Sequence, residues 1–305
     1  YDIEWNQQLF PYYNIQTLDI IQRPRTESDI LAYETALACD GGAGRRWQLT
    51  DTRYLLGAAG FLDALNSQLD PVQHRFRIVK RFNIAPKPGI ERPTSYEELT
   101  AVPADDGNYA LFEFTGALPR AKLYTDWKTA TNNPSVLQNW VKDIQSRTPV
   151  EMGDAVASLN AADRAALYEI TGTNFDAEKT VLLDTPLSFQ PAAGTNANSG
   201  SVEFKSYAPK DIVFAAQAAA PSILLLNDAY DPNWRVTVDS QPAKLLRCNF
   251  IMRGVYLTPG AHTVEFKFSL PSKPFYVTLT ALVVGICLCG VLIFYVRKPQ
   301  TVAKN

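Results

Sequence analysis

The chain has 305 residues, enough for one large or two smaller domains, and its 46% hydrophobic and 20% charged residues are an ordinary globular balance. Twenty-nine basic and 31 acidic residues leave a net charge of −2, without the basic face that nucleic-acid binding requires, so no nucleic-acid partner is expected. Only two histidines are present, His74 and His262, and neither has Cys or Asp at metal-ligand spacing, so no zinc site and no cofactor are expected.

The opening "YDIEWNQQLFPYY" has neither an apolar run nor a basic n-region and does not read as a signal peptide; earlier spans or a cleaved signal upstream are expected. Residues 27–39, "ESDILAYETALAC", carry apolar residues at helical spacing and stop at "DGGAG". "GGAGRR" resembles a phosphate loop but lacks the Lys-Ser/Thr that would follow, and reads as the turn closing that helix. "RRWQLTDTRYLLGAAGF" predicts a strand, a turn and then a strand or short helix. "HRFRIVKRFNI" sets Phe76 and Ile78 against Arg75 and Arg77, a half-buried strand. "NYALFEFTG" alternates again, and "LPRAKLYTDW" is expected to pair with it. Residues 1–146 thus predict an α+β lobe.

Residues 133–146 and 153–170 predict helices, the second broken near Asn160, and 147–179 form a helical connector. Residues 191–201, small and polar, predict a loop. From 180 to 270 short alternating strands follow one another between Asp-Pro, Asp-Ser and Pro-Gly breaks, the pattern of an antiparallel β-sandwich. Trp234, Val236 and Val238 share one strand face; His262, Val264, Phe266 and Phe268 share another. Cys39 and Cys248 read as isolated buried thiols, although an oxidising compartment leaves a pairing open.

Residues 275–296, "FYVTLTALVVGICLCGVLIFYV", contain no charge. Helical rise makes them about 33 Å long, against a hydrocarbon core of about 30 Å. Tyr276 and Tyr295 stand near the ends, where amphipathic rings favour the interface. Arg297, Lys298 and Lys304 follow, whereas all 31 acids precede the span. That asymmetry favours a cytoplasmic tail at 297–305 and a body outside the cytoplasm over the opposite topology, a tail-anchored cytosolic protein, which a long flanking domain leaves open. The fold class is therefore α+β: a mixed α/β lobe, a β-sandwich and one transmembrane helix in the lipid bilayer.

"NDAYDPNWRVTVDSQPA" (227–243) puts Asp228, Asp231 and Asp239 near Tyr230 and Trp234. As a calcium loop it fails, because Tyr230 and Pro232 fall on ligand positions and the sixth place lacks glycine. Asp231-Pro232 and Asp239-Ser240 read as turns. Trp234 reads as core, and His262 as a core or rim residue. A ligand-binding face, if carried here, is expected at Tyr230, Asp228 and Arg235.

The stretch from Tyr207 to Phe268 resembles the C-terminal extracytoplasmic region of the YfhO-like bacterial membrane proteins. The likeness falls on Tyr230, Pro232, Trp234, Val238, Asp239, Asn249, Arg253, Pro259, Gly260, His262, Val264 and Phe266. "RRWQLTDTRYLLG" and "LPRAKLY" resemble earlier outer segments of the same family. Asn233 and Ser240 depart from it, each standing where the family has a turn glycine. Such proteins are polytopic and similar to the C-type membrane glycosyltransferases, which use lipid-linked sugar donors. The resemblance implies structural roles for Trp234, Asp239, Asn249, Arg253, Gly260 and His262. It also implies a catalytic carboxylate upstream of this chain and none within it. The implied function is a non-catalytic C-terminal outer domain with the last transmembrane helix, in the bacterial cytoplasmic membrane. It would position a glycan or polymer acceptor, or meet a lipid-linked sugar, in cell-envelope sugar transfer. A different class of reading is an adhesion or assembly module that binds a protein.

Overall fold

A computed structural model describes residues 10, 13–18, 26–39, 42–189, 191, 199–270 and 273–296. The first two helices with described bounds are α1 (Ser28–Ala38) and α2 (Ala43–Leu49). The segment expected as a strand at "RRWQL" is α2 instead. Its residues are not β-branched apart from its C-cap Thr50, and Trp47 packs edge-on against Phe76. Strands β1 (Tyr54–Ala58), β2 (Phe76–Pro86), β3 (Leu99–Pro103) and β4 (Tyr109–Phe114) form an antiparallel sheet in the order β1-β4-β2-β3. Helical turns over 59–69 cover one face of it, where Ala110 and Phe112 meet Leu55, Leu62, Leu65 and Ile78.

Strands β5 (Ala121–Tyr124) and β6 (Asp126–Thr129) follow. β5 does not pair with β4. Its partner is β10 (Ser222–Ala229), with Leu123 opposite Leu224. Alternation marks a segment as strand but carries no address for its partner, and Pro119 interrupts any direct hairpin. β6 runs parallel to β7 (Thr180–Leu183). A parallel pair needs a long crossover. Helices α3 (Pro134–Arg147), α4 (Val150–Ala157) and α5 (Ala161–Thr171) supply it. Asn133 caps α3, and the break expected near Asn160 is an N-cap, its side chain accepting from the Asp163 amide at 2.9 Å.

The remaining strands are β8 (Gly200–Ala208), β9 (Asp211–Ala218), β11 (Trp234–Val238), β12 (Gln241–Ala243), β13 (Leu246–Cys248), β14 (Met252–Leu257) and β15 (Gly260–Phe268). They complete a six-stranded sheet, β5-β10-β14-β13-β7-β6, and a five-stranded antiparallel sheet, β12-β11-β15-β9-β8. The six-stranded sheet takes strands from both sides of residue 146. Leu123, Leu224, Leu226, Val255 and Leu257 face Ile212, Phe214, Trp234, Val236, Val264 and Phe266 across the sandwich. The other face of the six-stranded sheet, with Tyr124, Ile223, Leu225 and Met252, lies in one core with side chains of α1, α4 and α5. Burial on both faces explains why β10 reads as the unbroken apolar run "SILLL". Gly254 lies where three strands crowd: a Cβ there would stand 2.7 Å from the Leu224 carbonyl oxygen and 2.8 Å from Cys248 Sγ.

The last element is α6 (Lys273–Val296). Its stretch Phe275–Ile293 is long and apolar enough to cross a membrane, and none of it is buried against the rest of the chain. By length and composition this 19-residue stretch could span a bilayer. Cys248, Cys287 and Cys289 are free thiols. Cys248 is fully buried, and burial holds its thiol well above the usual range.

Candidate functional site

The sandwich has two ends, set by strand direction. β15 runs from Gly260 at one end to Phe268 at the other. Trp234 lies opposite Phe268, and Ala208 opposite Asp211, so the β8–β9 and β10–β11 connections share the Phe268 end. A large charged cluster that joins both sheets sits there.

Asp228 closes β10, with its side chain 13% exposed. Arg120, just before β5, donates Nε and Nη2 to Asp228 Oδ1 at 2.9 and 2.7 Å. Arg253, near the start of β14, donates Nη2 to Asp228 Oδ2 at 2.8 Å and Nη1 to the Ala229 carbonyl at 2.6 Å. Tyr207 on β8 donates its hydroxyl to Asp228 Oδ2 at 3.2 Å, while the Arg120 guanidinium lies over the Tyr207 ring. Arg120 also bonds the Gln16 side chain.

Arg253 has only 3% of its side chain exposed. Burial pulls its pKa down, and the Asp228 carboxylate works against that. Its guanidinium carbon stands 3.9 Å from the Trp234 ring centroid, a desolvated cation–π contact. Its Nε has no hydrogen-bond partner among the described residues. Burial raises the Tyr207 pKa, and the Asp228 charge adds to the rise. Asp228 is thus held by two guanidiniums and a phenol. Arg120 and Tyr207 escape any reading of local sequence, since Arg120 is 108 residues from Asp228 and no spacing rule joins them.

The three carboxylates of 227–243 do not converge. Asp231 Oδ1 accepts from the Asn233 amide at 2.7 Å, and the Trp234 amide donates to the Asp231 carbonyl at 3.1 Å, an Asx turn. Asp239 lies in the β11–β12 turn, toward the far end of the sandwich. There Asp239 and Ser240 have φ of 52° and 66°, so the hairpin takes both residues left-handed. Asp239 Oδ1 accepts from the Thr263 amide at 2.8 Å, and Oδ2 lies 2.7 Å from His262 Nδ1. His262 Nε2 lies 2.9 Å from the Thr258 carbonyl. Both ring nitrogens face acceptors, so a doubly protonated ring satisfies both. The Asp239 hydrogen bond raises the His262 pKa, and the same bond lowers that of Asp239.

Tyr230 is half-buried and its amide donates to the Ile251 carbonyl at 2.7 Å. Arg235 stands exposed on the outer face of β11, donating to the Pro232 carbonyl at 3.0 Å. It makes no bond with the Asp228 cluster among the described contacts. Asn249 is fully buried at φ 42°; its amide donates to the Leu182 carbonyl at 2.8 Å and its Oδ1 accepts from the Leu182 amide at 2.9 Å, tying the β13–β14 turn to β7. Gly260 opens β15 at φ 134°, a left-handed-side value that suits glycine.

A second charged group lies on the first sheet. Glu113 accepts from Arg53 at 2.8 and 2.9 Å and from Arg77, both arginines being largely exposed. Beside it the uncovered face carries Tyr54, Leu56, Ile84 and Tyr109. Among the described residues no three His, Cys, Asp or Glu side chains gather as a metal-holding group. Comparison with family models, curated proteins and solved structures gives no match.

Proposed function

We propose that this chain is a non-catalytic outer part of a polytopic, glycosyltransferase-like membrane protein, carried on α6 and positioning a glycan or polymer acceptor in cell-envelope sugar transfer. The observation that carries the reading is the junction between sandwich and span. β15 ends at Phe268, and α6 begins at Lys273. A linker this short holds a folded body beside the membrane. Both oxygens of the Asp228 carboxylate are engaged by neighbouring side chains, which supports a structural rather than a catalytic role for that cluster. The resemblance at Tyr230, Trp234, Asn249, Arg253 and His262 supplies the sugar-transfer context. Removing residues 1–270 from the full-length protein tests it: sugar transfer or acceptor choice is expected to change, and unchanged transfer with unchanged acceptor choice contradicts it.

A second reading has its own observation. The uncovered face of the first sheet, with Tyr54, Leu56, Ile84 and Tyr109 exposed, suits a protein partner in an adhesion or assembly module. Crosslinking to one protein through this face, together with no binding on a glycan array, favours that reading.

A further inference from the structure

We infer that the Phe268 end of the sandwich, formed by the β8–β9 turn and the β10–β11 loop, rests on the phospholipid headgroups. The inference depends on α6 spanning a bilayer, and goes beyond that by assigning the surface that meets the lipid.

The Ser269 amide donates to the Asn233 carbonyl at 3.1 Å, and the Phe268 amide to the Lys210 carbonyl at 2.9 Å. The end of β15 is therefore pinned to both connections as far as Ser269. Four residue steps separate Ser269 from Lys273. Fully extended they cover about 14 Å. The headgroup layer is itself about 5–7 Å thick on each side of the hydrocarbon. Asn233 and Lys210 are thus held within about 10 Å of the headgroup surface, even with the linker stretched.

The side chains at that end suit the position. Tyr207 and Leu270 are exposed, the latter by 67%, and so are Pro209, Lys210 and Pro232; Tyr230 is half-buried. A lysine such as Lys210 can set its ammonium among the phosphates. Tyr276, exposed in the first turn of the span, would lie beneath it at the hydrocarbon edge. The opposite end, with Ala219 and Pro259, stands about 26 Å further along β15, by the rise of eight strand residues. Beneath the rim, the Asp228 cluster joins Arg120, Tyr207 and Arg253, so the surface facing the lipid is a braced one.

The test uses the whole chain in nanodiscs of phosphatidylethanolamine and phosphatidylglycerol. Single fluorescent labels are placed at Lys210→Cys, Pro232→Cys, Ala219→Cys and Gly285→Cys, with Cys39, Cys287 and Cys289 replaced and the buried Cys248 kept. Headgroup nitroxide lipid is expected to quench the labels at 210 and 232 at least three-fold more than that at 219, while mid-chain nitroxide quenches 285. Equal quenching at 210, 232 and 219, with 285 still quenched, overturns the inference and leaves the span intact. Loss of mid-chain quenching at 285 overturns both. Amide exchange of the unsubstituted chain gives an independent reading: protection over 228–233 greater in nanodiscs than in micelles agrees, and identical exchange overturns the inference.

Discussion

Arg253 is the residue on which the sandwich end depends most. A guanidinium this buried is tolerable because Asp228, the Ala229 carbonyl and the Trp234 ring surround it. Removing one partner of a buried pair leaves the other charge uncompensated, a loss of about 3–5 kcal/mol. Asp228→Ala is therefore expected to lower unfolding stability by that order, read by denaturant titration in detergent with Trp fluorescence. Arg120→Ala, at a more exposed position, is expected to cost only about 1 kcal/mol. Equal losses for the two would show that Arg253 is not the dependent charge. His262 gives a pH signature. Its folded pKa is raised, so the stability it adds is complete below its unfolded value, about 6.5, and fades as pH rises through the folded value. Asp239 is lowered, so its contribution is present above about pH 4 and fades as pH falls further. The pair should be most stabilising between about pH 4 and 6.5. His262→Gln is expected to flatten the decline of stability from pH 6 to pH 8; an unaltered slope would contradict the pairing. Of these residues, sequence showed the inward face of Trp234 and the turn role of Asp239, because both follow from local periodicity and turn chemistry. It could not show Arg120 or Tyr207, since their meeting with Asp228 is set by strand pairing across the whole chain.

At the level of elements, local pattern did well where one face is buried and the other wet. Phe76 and Ile78 in β2, Trp234 and Val236 in β11, and Val264 and Phe266 in β15 turn inward as alternation predicts. The helix break at Asn160 is likewise a local signal, the cap. Pairing was not legible: β5 joins β10 across roughly a hundred residues, and β6 joins β7 only through the three-helix crossover. α2 was misread because a seven-residue segment is too short for its period to decide between helix and strand. The β11–β12 hairpin offers a direct test of turn strain. Ser240 sits at φ 66°, where an L-residue is disfavoured and glycine is not. Ser240→Gly is expected to raise stability by about 0.5–1 kcal/mol, measured as a higher denaturation midpoint; a lower midpoint would mean that the serine makes a stabilising contact there. Asp239→Gly should do the opposite, because it removes the bonds to Thr263 and His262.

For the whole molecule, a helical layer, a sheet buried on both faces and a second sheet form one body, and α6 leaves that body with its apolar surface uncovered. The pinning of Ser269 and the short linker then fix which end of the sandwich is nearest α6. The candidate span was legible in the sequence, since a charge-free run of that length is long and apolar enough to cross a bilayer. The side on which the body lies rests on the basic residues after the span. The most direct test of the account is labelling in spheroplasts making the full-length protein. Cysteines at Ala219 and Thr301, in a background lacking Cys39, Cys287 and Cys289, would be offered a membrane-impermeant maleimide before and after permeabilisation. The account predicts that position 219 reacts in intact spheroplasts and position 301 only after permeabilisation. Reaction at 301 before permeabilisation with protection of 219, or reaction of both, would contradict it.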